Sequence, residues 1–255
     1  MKVMNENENQ ASTSLIGMSS EIQEAQSRFA AICEQASALE LANNAGAAFT
    51  AAALVVSLRE VLSDAVMKQV FMPLMNTKIG FLTDKDPNRP NKSGIRPSPY
   101  SIEVVRDAII DGIAYGLLPS GNQINIISGT MYPTKEGFTA LLRRIGCRYF
   151  ISYSTPKINE QTADVDCKIS YEWKSEKKTF NFTANVKKDS YSSLDQIKGK
   201  AERKAKKVLY EYLTGVDFGD ADEDSSTPIE EQPTVEVRKE EMRQAGPTKI
   251  ADALL

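Results

Sequence analysis

Two adjacent arginines, Arg143 and Arg144, close the run GNQINIISGTMYPTKEGFTALLRR, which begins at Gly121 in a chain of 255 residues with no histidine. The missing imidazole limits the available chemistry. Neither a Ser-His-Asp nor a Cys-His arrangement can be assembled. Cys33, Cys147 and Cys167 are too widely spaced for a disulfide framework or a metal-ligand pattern, and zinc ligation is not expected. No GxxxxGK[ST] loop is present to cradle nucleotide phosphates, and Lys198-Gly199-Lys200 falls inside a predicted helix. One group keeps a catalytic reading: Asp164, Asp166, Glu172 and Lys174 share a strand face and could hold Mg²⁺ around a water, as in a metal-dependent nuclease. They lie on a single strand, however, and cross-strand ion pairing is the simpler expectation. The chain is therefore expected to be no enzyme and to need no cofactor, with Mg²⁺ at most a modulator of binding.

The arginines belong to a charge pattern. Residues 1–76 carry 4 Lys/Arg against 8 Asp/Glu, residues 77–214 carry 23 against 15, and residues 215–255 carry 4 against 11. The overall −3 thus conceals a basic middle between two acidic ends. Such a middle suits a polyanionic partner, and a solvated lysine-rich surface is the alternative.

Helical spacing of Ile22, Ala25, Phe29, Ile32 and Ala36 predicts a helix from Ser19 to about Leu41, after a polar and disordered segment 1–18. A break at Asn43-Asn44-Ala45-Gly46 leads into a second helix to about Phe71, which Pro73 helps to end. Ala45 to Leu58 is too short and too interrupted to span a bilayer, and the N-terminus lacks a signal-peptide layout. A cytoplasmic protein is expected. Neither helix has a strongly basic face, so packing within or between subunits is their expected role.

Residues 76–99 read as a loop stiffened by four prolines, in which Lys85, Arg89, Lys92 and Arg96 suit phosphates. Ser101 caps a helix through Tyr115 whose apolar side is Val104, Val105, Ala108, Ile109 and Ile113; Gly112 and Gly116 allow close packing. A strand-turn-strand bends at Ser128-Gly129-Thr130. Thr134 then caps a helix with Phe138, Leu141, Leu142 and Ile145 on one face. At 100° per residue Arg143 and Arg144 lie opposite, facing solvent or something outside the subunit.

Three strands follow. In the second, Val165, Cys167, Ile169, Tyr171 and Trp173 alternate with polar residues. In the third, Phe180, Phe182, Ala184 and Val186 do so, and Tyr149, Ile151 and Tyr153 alternate in the first. The fold expected is α+β: a β-hairpin, a helix, a three-stranded antiparallel meander and a closing helix, with an N-terminal helical extension. The closing helix, Leu194 to about Leu213, should bury Leu194, Ile197, Ala201, Ala205, Val208 and Tyr212. Lys200, Arg203, Lys204 and Lys207 form a stripe away from that face. Beyond Gly215 the chain reads as a flexible acidic tail, ending in the short apolar IADALL.

Nucleic-acid binding draws these features together. The Tyr132-Pro133-Thr134-Lys135 helix entry places backbone amides beside a cation. Arg143, Arg144, Arg148, Lys200, Arg203, Lys204 and Lys207, with Arg96 from the loop, extend a charged track. Tyr132 or Phe150 can stack on bases, or can be core.

Residues 104 to 144, VVRDAIIDGIAYGLLPSGNQINIISGTMYPTKEGFTALLRR, resemble the RecT/Red-beta single-strand annealing proteins of phages. Gly116-Leu117-Leu118-Pro119, Ile126-Ile127, Gly137 and Leu142-Arg143-Arg144 carry the resemblance, and KGKAERKAKKVLYEYL is similar to that family's basic closing helix. Where the family has a compact Tyr-Arg-Gly at the helix entry, this chain spreads it as Tyr132, Lys135 and Gly137. The resemblance implies ATP-independent binding of single-stranded DNA and annealing of complementary strands during phage homologous recombination and DNA repair. It also implies a ring or helical filament of identical copies in a bacterial host, working with a phage exonuclease and a host single-strand-binding protein.

Residues 135 to 213 also resemble a double-stranded-RNA-binding domain in outline, and a self-assembling phage structural protein is a further reading. The regions expected are 1–18 disordered, 19–76 helical and for oligomerisation, 77–215 the DNA-binding annealing core, and 216–255 the acidic tail.

Overall fold

The computed structural model describes residues 19–37, 46–90 and 94–219. The expected disorder of 1–18, the predicted helix end at 38–41, Lys92, and most of the acidic tail with IADALL lie outside the described residues. The chain is an α+β fold with helices at its N-terminal side and two sheets.

Helix α1 (Ser20–Ser37) turns Ile22, Ile32 and Ala36 inward. Helix α2 (Ala47–Val61) packs on it and buries Leu54, Leu58 and Val61, while Phe49 and Val56 face outward. The single helix expected as far as Phe71 is broken at Leu62-Ser63. The Ser63 hydroxyl accepts a hydrogen bond from the Val66 amide and starts a new turn, α3 (Asp64–Val66), which continues as a π-helix (Met67–Phe71) and a 3-10 turn (Met72–Leu74). A serine followed by aspartate is a helix-start signal, and here it overrides the apolar periodicity that runs through it. Ion pairs Arg59–Asp107, at 2.9 Å, and Arg106–Asp64 fasten these helices to α4 (Ile102–Ala114). Among the described residues no helix is long and apolar enough to cross a membrane.

Ser101 caps α4 as expected, accepting from the Val104 amide. A small sheet lies against α4. Strands β2 (Ile124–Ile127) and β3 (Thr130–Pro133) form the predicted hairpin around Ser128-Gly129, both with positive φ. A parallel edge strand β1 (Leu82–Thr83), not anticipated within the loop, pairs with β2. Two residues are too few to show alternation.

Helix α5 (Lys135–Arg144) follows, capped by Thr134, whose oxygen accepts from the Gly137 amide at 3.1 Å. The second sheet comprises β4 (Arg148–Tyr153), β5 (Lys157–Ile158), β6 (Thr162–Trp173) and β7 (Glu176–Lys187). Strand β6 pairs antiparallel with all three others, so the predicted meander β4-β6-β7 is present and both outer strands are edges. One face buries Val165, Cys167, Ile169, Tyr171, Phe180, Phe182, Ala184 and Val186, as the alternation predicts.

That face is covered by α6 (Leu194–Thr214), which opens with a Ser193/Gln196 capping box and ends at Gly215 in the left-handed conformation. The buried set of α6 differs from expectation. Ile197, Ala201 and Ala205 are inside, but Leu209 and Leu213 take the places assigned to Val208 and Tyr212, and Leu194 is half exposed. Two neighbours explain the shift: α6 packs on the sheet along one side and on α5 along the other, so a wider arc is buried. Residues 216–219 are not part of a loose tail either. Phe218 packs among Tyr115, Phe138 and Tyr210, with ring centroids 4.6, 5.2 and 5.9 Å away.

Candidate nucleic-acid interface

The geometry starts from the α5–α6 pair. Lys135 Nζ lies 3.2 Å from Glu202 Oε2, and one turn further on Lys206 Nζ donates to Thr139 Oγ1 at 2.9 Å. The contacts advance together along both chains, so the helices run side by side in the same direction. Lys206 is buried, at 7% exposure, and is bonded to Glu202 at 2.5 Å with the Tyr149 ring 5.9 Å away. Burial disfavours ionisation of the Glu202 carboxyl, yet the hydrogen bonds and charges of Lys206 and Lys135 outweigh it and hold the group below the usual range. Sequence reading does not single out Lys206, because it lies outside the basic stripe. Its i,i+4 spacing from Glu202 is the available signal.

The expected DNA contacts separate into three kinds. Arg143, Arg148 and Arg96 are exposed. Arg143 and Arg148 flank the tight turn from α5 into β4, where Gly146 N donates to Arg143 O at 3.0 Å and Cys147 N to Leu142 O at 3.0 Å. Arg96 belongs to a segment held against the hairpin through Asp84, which accepts from the Tyr100 hydroxyl at 2.8 Å and from the Ser128 amide at 3.0 Å. Burial, then the Asp84 hydrogen bond, raises the Tyr100 pKa.

A second kind touches backbone carbonyls or a ring. Lys200 is exposed, and its Nζ donates to the Lys187 carbonyl at 2.8 Å; Lys204 Nζ donates to the Asn185 carbonyl at 2.6 Å. Both ammonium groups therefore lie along the β7 backbone. The Arg203 guanidinium stacks over the Tyr132 ring at 4.2 Å, joining the hairpin to α6. The carbonyl contact fixes the Lys200 ammonium in position without cancelling its charge.

The third kind is tied up internally. Lys135 pairs with Glu202, and Lys207 bonds the Gly219 carbonyl at 2.5 Å and pairs with Glu211 at 3.7 Å, its side chain only 13% exposed. Arg144 departs furthest from expectation. Although exposed overall, its guanidinium packs against Gly116 at the end of α4, with Cζ 3.2 Å from where a Cβ would stand. It is an intramolecular bracket, whereas Arg143 keeps the outward position expected of both.

On the sheet face turned from α6, the carboxylates read as candidate nuclease ligands are engaged across strands. Asp164 accepts from Asn185 Nδ2 at 2.7 Å, and Asp166 from Lys157 Nζ at 3.0 Å and Thr183 Oγ1 at 2.9 Å. Glu172 lies 3.8 Å from Lys177, and the Lys174 ammonium sits 4.2 Å over the Trp173 ring. The Lys157 and Thr183 hydrogen bonds hold the Asp166 carboxyl below its ordinary pKa. No group of three carboxylate or thiol side chains capable of holding a metal occurs among the described residues.

The glycines of the resemblance have packing roles. Gly116 adopts φ +79°, and a side chain there would displace Arg144; at Gly137 a side chain would collide with the Gln123 carbonyl oxygen and come 3.1 Å from Leu117 Cδ2. No family model, curated protein or solved structure was found to match the chain.

Proposed function

We propose that the protein binds single-stranded DNA and anneals complementary strands without ATP, acting as an assembly of identical copies in phage-type homologous recombination inside the bacterial cytoplasm. The observation that carries this reading is the set of outward cations on the basic region: Arg143 and Arg148 around one turn, with Lys200 fixed on a backbone carbonyl at the edge of β7. Phosphate binding needs point charges held in place, and neither a nucleotide loop nor a catalytic constellation. The residues of the resemblance support it further, since Gly116, Gly137 and Arg144 interlock α4, the hairpin and α5 into one unit.

The test is a salt titration of single-stranded DNA affinity. Each phosphate contact on a single strand contributes about −0.7 to the slope of log affinity against log salt. Arg148→Ala and Lys200→Ala are each expected to flatten the slope by about that amount. Wild-type slopes in both variants would remove these cations from the interface.

A further inference from the structure

On the face of the second sheet turned from α6, one aromatic ring stands in the open. Phe150 is 70% exposed on β4, an edge strand. Its flanking residues on the same face of β4 are Arg148 and Ser152, each about 6.8 Å along the strand. Registry with β6 and β7 fills in the surface: Arg148 lies opposite Glu172 and then Lys177, Phe150 opposite Ser170 and Thr179, and Ser152 opposite Lys168 and Asn181. Further along β4, from Ser152 onward, is a depression of about 470 Å³ whose lining includes Ser152, Ser154, Asp166, Lys168, Asn181 and Thr183.

A Phe on a solvated strand face forgoes the burial that drives its folding partners. The polar groups around it are equally suggestive. Arg148, Lys168 and Asn181 are exposed, and their side chains make no hydrogen bond or ion pair with the described residues. Among the acids of this face, Asp166 is paired with Lys157 and Glu172 with Lys177, while Asp164 accepts from the neutral Asn185 amide. Available positive charge on either side of an exposed ring is the combination that holds a single strand by its phosphates and by the π-face of a base.

We infer that this sheet face is a base-stacking platform for single-stranded nucleic acid, with Phe150 under one nucleobase, Arg148 and Lys168 on the adjoining phosphates, and Ser152 and Asn181 donating to backbone oxygens. The inference rests on the single-strand binding proposed above and adds where the bases go. Stacking uses the face of the base and leaves its hydrogen-bonding edge free, so a strand on this platform stays competent to pair with its complement. The platform reads no sequence.

The test uses the full chain, a fluorescent oligothymidylate, and an abasic oligonucleotide of the same length. The wild type is expected to bind the oligothymidylate more tightly. Phe150→Ala should weaken that binding between about 5- and 150-fold, the range for losing one aromatic-base stack, to the abasic level. Its salt slope and melting temperature should not change, and Phe150→Trp should restore affinity. If Phe150→Ala still discriminates between the two probes as the wild type does, the platform is wrong while phosphate binding stands. If the wild type binds neither probe, the reading beneath it is gone as well. Loss of self-association in Phe150→Ala by sedimentation, with base discrimination intact, would instead assign this face to a second copy of the chain and overturn the inference.

Discussion

The guanidinium of Arg144 occupies the space that a side chain at residue 116 would need, so the end of α5 closes directly over the end of α4. Two positions 28 residues apart in the sequence are therefore one structural feature. A glycine is required at 116 twice over, by φ +79° and by the arginine above it. Around this contact Tyr115, Phe138, Tyr210 and Phe218 pack ring against ring, so four segments of the chain converge there.

Gly116→Ala should accordingly cost more than about 1 kcal/mol, the figure for a side chain forced into a left-handed backbone position alone. Urea denaturation measures it. Arg144→Ala in the same chain removes the steric part, so the double variant should be less destabilised than the sum of the singles. Strict additivity would mean that the two residues do not meet.

The paired arginines should divide in their effects. Arg143→Ala is expected to reduce single-strand affinity and flatten its salt slope by about 0.7 without lowering the melting temperature. Arg144→Ala is expected to lower the melting temperature. Equal loss of stability in both would contradict the separation of an outward charge from an internal bracket.

Glu202 neutralises a lysine that has almost no access to water, since Lys206 is 7% exposed. Glu202→Gln leaves that ammonium without its carboxylate and should cost about 3 kcal/mol. The pH dependence has a definite sign. The folded-state pKa of Glu202 is lowered from 4.5, so its stabilisation is complete above that value and is lost as pH falls through the lowered one. Wild-type melting temperature should fall more steeply than that of Glu202→Gln across this acid window, and parallel profiles would refute the assignment.

Ser63→Ala removes the side-chain oxygen that accepts from the Val66 amide and restarts the helix after Leu62. A loss of about 1 kcal/mol is expected, as for other N-caps. An unchanged denaturation midpoint would show that the break is set by packing alone.

The parts of this fold legible in the sequence are those governed by a local period. Alternation places Val165, Cys167, Ile169 and Tyr171 of β6 and Phe180, Phe182, Ala184 and Val186 of β7 inward, because a strand with one wet face repeats every second residue; Trp173 is only half-buried and Ala163 joins the core unannounced. Thr134 and Ser101 announce their helices through capping chemistry. The helix break at Ser63 is announced in the same way but hidden under a continuous apolar pattern. What the sequence does not reveal depends on a second neighbour. Val208 and Tyr212 look like the inner face of α6 until α5 claims the other flank and draws in Lys206, Leu209 and Leu213. Phe218 sits in a short glycine- and aspartate-containing segment that reads as loose chain, yet its ring finds Tyr115 and Phe138 from distant elements as well as Tyr210 of the preceding helix. For the site, residue type identifies the cations, but not which of them are held by carboxylates, carbonyls or rings.

The most direct measurement of the whole account is the rate at which two complementary oligonucleotides, one carrying a fluorescence donor and the other an acceptor, become duplex in the presence of the protein and without ATP. Pairing should be faster than the spontaneous rate and slower with Arg148→Ala and Phe150→Ala, and the preformed duplex should bind more weakly than either strand. An unaltered pairing rate, or a preference for the finished duplex, would contradict the account.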